Sequence, residues 1–168
     1  MRRHLSVFGY ECGALPRRRY AARAVKFFPM QLEIEITAQA IDARCEPPEE
    51  FRGRAGALAV FTGLVRSEEA GRAIAALEYE AYQPMAERVI RQIVEDLNRQ
   101  HSCEWVRVTH RVGVIPVGEA AIRVITAARH RGEAFAMLTK FMDRLKQDVP
   151  IWKHRALSGD ELSAPPKS

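Results

Sequence analysis

Two lysines, Lys146 and Lys153, flank Pro150 at the end of a long amphipathic stretch, with Arg144, His154 and Arg155 close by in sequence. A proline cannot continue a helix, so the chain turns there and the two ammonium groups can face one cleft. A lysine gathered with other cations is suited to bind an anion, to move a proton or to attack a carbonyl. A second basic group, Arg129-His130-Arg131-Gly132, falls between an apolar strand-like run and an amphipathic one. Free backbone N–H groups and the helix dipole favour a phosphate or carboxylate at such a junction, although solvated loop residues would give the same pattern. Third, Arg66 closes the run Phe61-Thr62-Gly63-Leu64-Val65. A glycine inside a strand marks a bulge or a close backbone approach, and a strand-end arginine is either solvated or a ligand contact.

Other chemistries find no support. The chain has no GxSxG, GxGxxG, P-loop or HExxH motif, and its three cysteines, Cys12, Cys45 and Cys103, form no metal-ligand spacing. Cys103 reads as a small packing residue rather than a nucleophile, and an odd, scattered set of cysteines fits a reducing cytoplasm. No apolar run reaches the roughly 20 residues that a membrane helix needs. The net charge of +5 is uneven: residues 1 to 29 hold six Arg and one Lys against Glu11 alone, while residues 104 to 157 hold ten Lys or Arg against five Asp or Glu. The leader lacks the apolar core of a secretory signal; it reads as a basic extension before a start at Met30, a flexible arm or a transit peptide.

These candidates need a scaffold, and 168 residues with 47% hydrophobic content suffice for one domain. Leu32, Ile34 and Ile36 alternate with polar residues and predict a strand. Ala38 to Arg54, with Pro47 and Pro48, reads as a loop or short helix. Gly56 to Val65 and Ile74 to Tyr82 are expected to pair as a long hairpin. Pro84 opens a helix whose apolar stripe is Met85, Val89, Ile90, Ile93, Val94 and Leu97. Trp105 to Val112 and Ala120 to Ala127 are strands joined by a turn at Gly113 to Glu119. Glu133 to Lys146 is the second helix, with Ala134, Phe135, Leu138, Phe141, Met142 and Leu145 expected on its buried face. Ile151 and Trp152 begin a short final strand, and Ser158 to Ser168 read as a flexible tail. Strands and helices mix without strict alternation, which predicts an α+β fold: an antiparallel or mixed sheet with two long helices packed on it.

Several blocks, in order, carry a resemblance: Phe61-Thr62-Gly63-Leu64-Val65-Arg66; Leu77-Glu78-Tyr79-Glu80-Ala81-Tyr82 with Met85; His110-Arg111-Val112-Gly113 with Val117-Gly118-Glu119; His130-Arg131 with Ala134-Phe135; and Asp143-Arg144-Leu145-Lys146 with Pro150-Ile151-Trp152-Lys153. Together they resemble the large, catalytic subunit of molybdopterin synthase over residues 31 to 157. The resemblance implies an α/β-hammerhead-like domain over residues 30 to 157. It also implies transfer of sulfur from the Gly-Gly thiocarboxylate of a small ubiquitin-like partner to cyclic pyranopterin monophosphate. By position, Lys146 and Lys153 would be catalytic; Arg66, His130 and Arg131 would bind substrate, with Leu64, Val65, His154 and Arg155 lining the site. No metal or organic cofactor is implied, and the assembly would be a homodimer within a heterotetramer. Where the family commonly carries an acidic residue two places after the second lysine, this chain has Arg155, and Ser67-Glu68-Glu69 follows Arg66. The competing readings are a basic nucleic-acid-binding module and a non-catalytic scaffold that docks a ubiquitin-like protein.

Overall fold

The computed structural model describes residues 29–163 apart from Ala43, Cys45 and Arg52. The basic leader before residue 29 and the end of the expected tail lie outside the described residues. Nine strands and three helices follow in order: β1 (Gln31–Thr37), β2 (Ala57–Leu64), β3 (Glu68–Glu69), β4 (Arg72–Ala73), β5 (Ala76–Ala81), α1 (Gln83–Asn98), β6 (Cys103–Arg111), β7 (Gly113–Pro116), β8 (Ala120–Ala128), α2 (Arg131–Asp148), β9 (Ile151–Leu157) and α3 (Gly159–Ser163). The Pro47-Pro48 segment contributes a single 3-10 turn at Glu49–Phe51. Among the described residues no helix is long and apolar enough to cross a membrane.

The main sheet has the order β1-β6-β8-β2, with β1 parallel to β6 and the other pairs antiparallel. Period-2 alternation turns Leu32, Ile34, Ile36, Val106, Val108, Ile122 and Val124 to one face, where α1 and α2 cover them. From α1 the residues Ala86, Ile90, Ile93, Val94 and Leu97 pack down; from α2, Ala134, Met137, Phe141 and Leu145 do so. This is the expected mixed sheet under two helices. A smaller cluster of Phe51, Trp105, Ile125 and Ala127 closes part of the opposite face. There the indole Nε1–H of Trp105 donates to Glu33 at 2.8 Å.

Two expectations need correction. The long hairpin does not form: β2 pairs with β8, whereas β5 lies in a separate sheet of order β7-β5-β9. The chain leaves β2 because Val65 is pinned to the turn before β8, its N–H donating to the Glu119 carbonyl at 3.0 Å and its carbonyl accepting from Gly118 N–H at 2.8 Å. Only the two-residue strands β3 and β4 form a hairpin between them. The second correction concerns the phase of α2. Phe135 is 59% exposed, while Met137 is fully buried. The buried positions 134, 137, 141 and 145 define one helical stripe, and position 135 lies about 100° from 134 on a 3.6-residue turn.

Proline and burial set the ends that matter for the site. Val149 is extended (φ −86°, ψ 127°), as the residue before a proline must be, and its N–H closes α2 onto Leu145. The final strand begins at Ile151, as expected, and runs to Leu157 along an antiparallel ladder with β5. Beyond it, where a tail was expected, residues 159–163 form the short helix α3, and Ser158 hydrogen-bonds Glu161 at its start.

Candidate active site

A cavity of about 470 Å³ opens where the two sheets meet beneath the last turn of α2. Its walls come from three directions. The main sheet supplies Phe61, Gly63, His110 and Ile122; α2 supplies Met142, Leu145 and Lys146; the small sheet supplies Tyr79, Ile151 and Lys153; and Leu64 stands at the rim, 58% exposed. Lys146 lies in the last turn of α2, where a cation also complements the negative end of the helix dipole. Lys153 sits on β9 opposite Tyr79, next to a bulge that leaves His154 unpaired in the ladder. Thus Lys146 and Lys153, separated in sequence by the Pro150 turn, line one cavity.

Gly63 makes room for it. The register between β2 and β8 shifts at Gly63 and Leu64, and a Cβ on Gly63 would lie 2.8 Å from Ile122 Cγ2. Both readings of an in-strand glycine, bulge and close approach, hold here.

The electrostatics are mixed rather than purely cationic. The Lys153 ammonium donates to Glu69 Oε1 at 2.5 Å, and Arg66 lies 3.7 Å from the other carboxylate oxygen. The hydrogen bond from Lys153, and then the charges of Lys153 and Arg66, hold the Glu69 carboxyl below the ordinary carboxylate range. Burial pushes the Tyr79 phenol up, against the pull of Lys153, so it stays a neutral O–H. Burial pushes the His110 imidazole down. Its Nδ1 lies 2.8 Å from the Arg111 carbonyl, which can only accept, so Nδ1 carries the proton and Nε2 keeps its lone pair. The cavity therefore offers two ammonium groups against a floor of neutral polar and apolar side chains.

The remaining sequence candidates occupy other places. Arg66 is exposed at the end of β2, reaching the site through Glu69. Val65 is buried against Leu77, Ile115 and Ala121, and fixes the backbone rather than lining the cavity. His154 lies 3.6 Å from Glu80, and Arg155 lies 3.4 Å from Glu78. His130 caps the start of α2 in an extended conformation and Arg131 is its first residue; both are exposed. At about 1.5 Å per residue, Arg131 stands roughly 22 Å from Lys146 along the same helix. Within one chain these two groups do not converge.

Sequence reasoning passed over Tyr79, His110 and Glu69 as site residues. Strand alternation could have found His110, a polar residue in phase with inward-facing Val106 and Val108. Glu69 carried no local signal, being 84 positions from Lys153. A second concavity of about 250 Å³ lies on the helix-free face, where Arg123 bonds Thr62 and Asp42 and Arg107 pairs with Glu33 and Glu35. Among the described residues no group of three His, Cys, Asp or Glu side chains could hold a metal ion.

Residues 33–148 match the profile of the MoaE protein family, more than two thirds of the chain. The chain belongs to the MoaE family. It is 38% identical over 131 residues to a protein of Nostoc sp. named molybdopterin synthase catalytic subunit, covering 77% of this chain and 73% of that protein. It is 39% identical over 98 residues to the human protein of the same name, covering 58% of this chain, and spans about half (52%) of that protein's length. Among solved structures, molybdopterin synthase from Staphylococcus aureus superposes with a TM-score of 0.64 at 32% identity, covering 75% of this chain and 91% of that one. The α+β architecture is thus that of known MoaE structures.

Proposed function

We propose that this chain is the catalytic subunit of a molybdopterin synthase acting in the cytoplasm. It would transfer sulfur from the C-terminal Gly-Gly thiocarboxylate of a small ubiquitin-like partner to cyclic pyranopterin monophosphate, twice, to build the dithiolene of molybdopterin. The observation that carries this reading is the convergence of Lys146 and Lys153 on one cavity. Both reactants are anions, and a partly apolar pocket strengthens the attraction of ammonium groups for them. Lys146 and Lys153 would stabilise the oxyanion that develops as sulfur adds, and move protons to and from the acceptor. Sulfur arrives on the partner and leaves on the substrate, so the step draws on neither a metal nor an organic cofactor.

The phosphate end of the substrate calls for further cations. Arg66 reaches the site through Glu69 in the same chain, whereas His130 and Arg131 stand at the far end of α2. In the homodimer that this reading includes, flanked by two small subunits, a second copy would bring its His130 and Arg131 to the site.

The reading is tested by incubating the protein with thiocarboxylated partner and cyclic pyranopterin monophosphate, and weighing the product by mass spectrometry. A gain of two sulfur atoms is expected; no gain overturns it. Lys146→Ala should abolish turnover without unfolding the chain, and near-normal turnover in that variant would remove Lys146 from the mechanism.

A further inference from the structure

We propose that Glu69 is a positioning residue for the site: its carboxylate tethers the Lys153 ammonium, with Arg66 on its other oxygen, and so fixes how Lys153 presents its charge to the cavity. This rests on the reading of Lys153 as a catalytic group.

The geometry is specific. Glu69 Oε1 accepts from Lys153 Nζ at 2.5 Å while Oε2 faces Arg66 at 3.7 Å, so each oxygen serves one cation. Glu69 is the one carboxylate paired with Lys153 among the described residues. The other polar groups around Lys153 are Tyr79 and His110, both neutral, and the cations Lys146 and Arg66. None of them can hold an ammonium group electrostatically.

The backbone places that carboxylate deliberately. Glu69 pairs with Arg72 in the β3–β4 hairpin, closed by Ala70 and Gly71 with φ of 51° and 76°. Two successive left-handed residues make the tight turn whose twist suits a hairpin. The ladder continues from Ile74 N–H to the Ser67 carbonyl at 3.0 Å. Both ends then enter the core of the small sheet, at Val65 and Leu77. A short hairpin anchored in this way carries its side chains at set positions. Glu69 is partly sheltered on the side of Lys153, whereas neighbouring Glu68 is exposed.

Positioning matters because a lysine ends a flexible four-carbon stem. Untethered, its ammonium would sample many rotamers, few of them aimed at the reacting atoms. Since an exposed ion pair adds little to stability, the value of this one lies in orientation. The Lys153 hydrogen bond holds the Glu69 carboxyl below the ordinary carboxylate range, so the tether is present throughout the neutral range.

The test is Glu69→Gln in the full chain assembled with its thiocarboxylated partner. Gln keeps the size and the hairpin's main-chain bonds but not the charge. We expect kcat to fall roughly 10- to 100-fold, with KM for the pterin substrate nearly unchanged and Glu69→Asp in between. Unchanged kcat, or a fall in KM at full kcat, would overturn the proposal, the latter showing that Glu69 merely competes with the substrate anion. A second measurement needs no turnover: side-chain order of the Lys153 methylene groups by 13C relaxation in the protein alone. Lower order in Glu69→Gln is expected, and unchanged order is fatal to the tether. If wild-type protein transfers no sulfur, the enzymatic reading fails while the relaxation result still decides whether Glu69 holds Lys153.

Discussion

The rings of Tyr79 and His110 meet edge to face, with centroids 5.5 Å apart and planes at 64°. They belong to different sheets, Tyr79 to β5 and His110 to β6, so the contact joins the two sheets under the cavity that holds both lysines. Because this junction is buried, protonating His110 works against the fold.

The pH dependence follows from the direction of that shift. Burial lowers the His110 pKa, and the hydrogen bond to the Arg111 carbonyl only partly offsets it. Below the ordinary histidine value of about 6.5, the unfolded chain takes up a proton that the folded chain refuses. Stability is therefore complete above that pH and is lost as pH falls towards the lowered folded value. Urea midpoints of wild type and His110→Gln, measured between pH 7.5 and about 5.5, should converge as the pH drops. A constant gap between them would show that His110 does not titrate in this way.

Gly63→Ala should be costly despite its small size. The new Cβ would lie 2.8 Å from Ile122 Cγ2 and 3.3 Å from the Phe61 ring. Overpacking of this kind costs about 1–3 kcal/mol. Combining it with Ile122→Ala, which removes the clashing methyl, should cost less than the two changes added together. Equilibrium unfolding of the four proteins gives the coupling directly.

Cys103 is inert in the folded protein. Desolvation, and then the charges of Glu133 and Glu104, push its thiol up to about 12. Only the thiolate is nucleophilic, so iodoacetamide at neutral pH should leave Cys103 unmodified until denaturant is added. Peptide mapping by mass spectrometry separates it from Cys12 and Cys45.

The phase of α2 predicts a contrast between two phenylalanines. Phe141 is fully buried between the helices and the sheet, so Phe141→Ala should cost about 3–5 kcal/mol. Exposed Phe135 should tolerate alanine within about 0.5 kcal/mol. Calorimetric melting of both variants checks the assignment.

What the sequence disclosed was mostly local. Pro84 and Pro150 bound the helices, strand alternation turned Leu32, Ile34 and Ile36 inward, and Gly63 announced a close approach. Long-range choices were hidden. Only the short β3–β4 hairpin separates β2 from β5 in order, and nothing within either shows that β8 would claim one while β7 and β9 claimed the other. The lysine pair was legible because a proline turn links its members over a few residues. Glu69 was not, since only the assembled small sheet brings it against Lys153. His130 and Arg131 had the right chemistry for an anion, but helix length decides that they stand apart from Lys146.

The parallel pairing of β1 with β6 has a bearing on biogenesis. Gln31 lies beside Trp105, so the first strand leaves the ribosome long before its neighbour exists. β6 and β8, close in sequence and antiparallel, can zip together once they emerge, whereas β1 must close the longest loop of the main sheet. Until then Leu32, Ile34 and Ile36 have no core to pack against, so the docking of β1 carries the largest loop-closure cost of the main sheet.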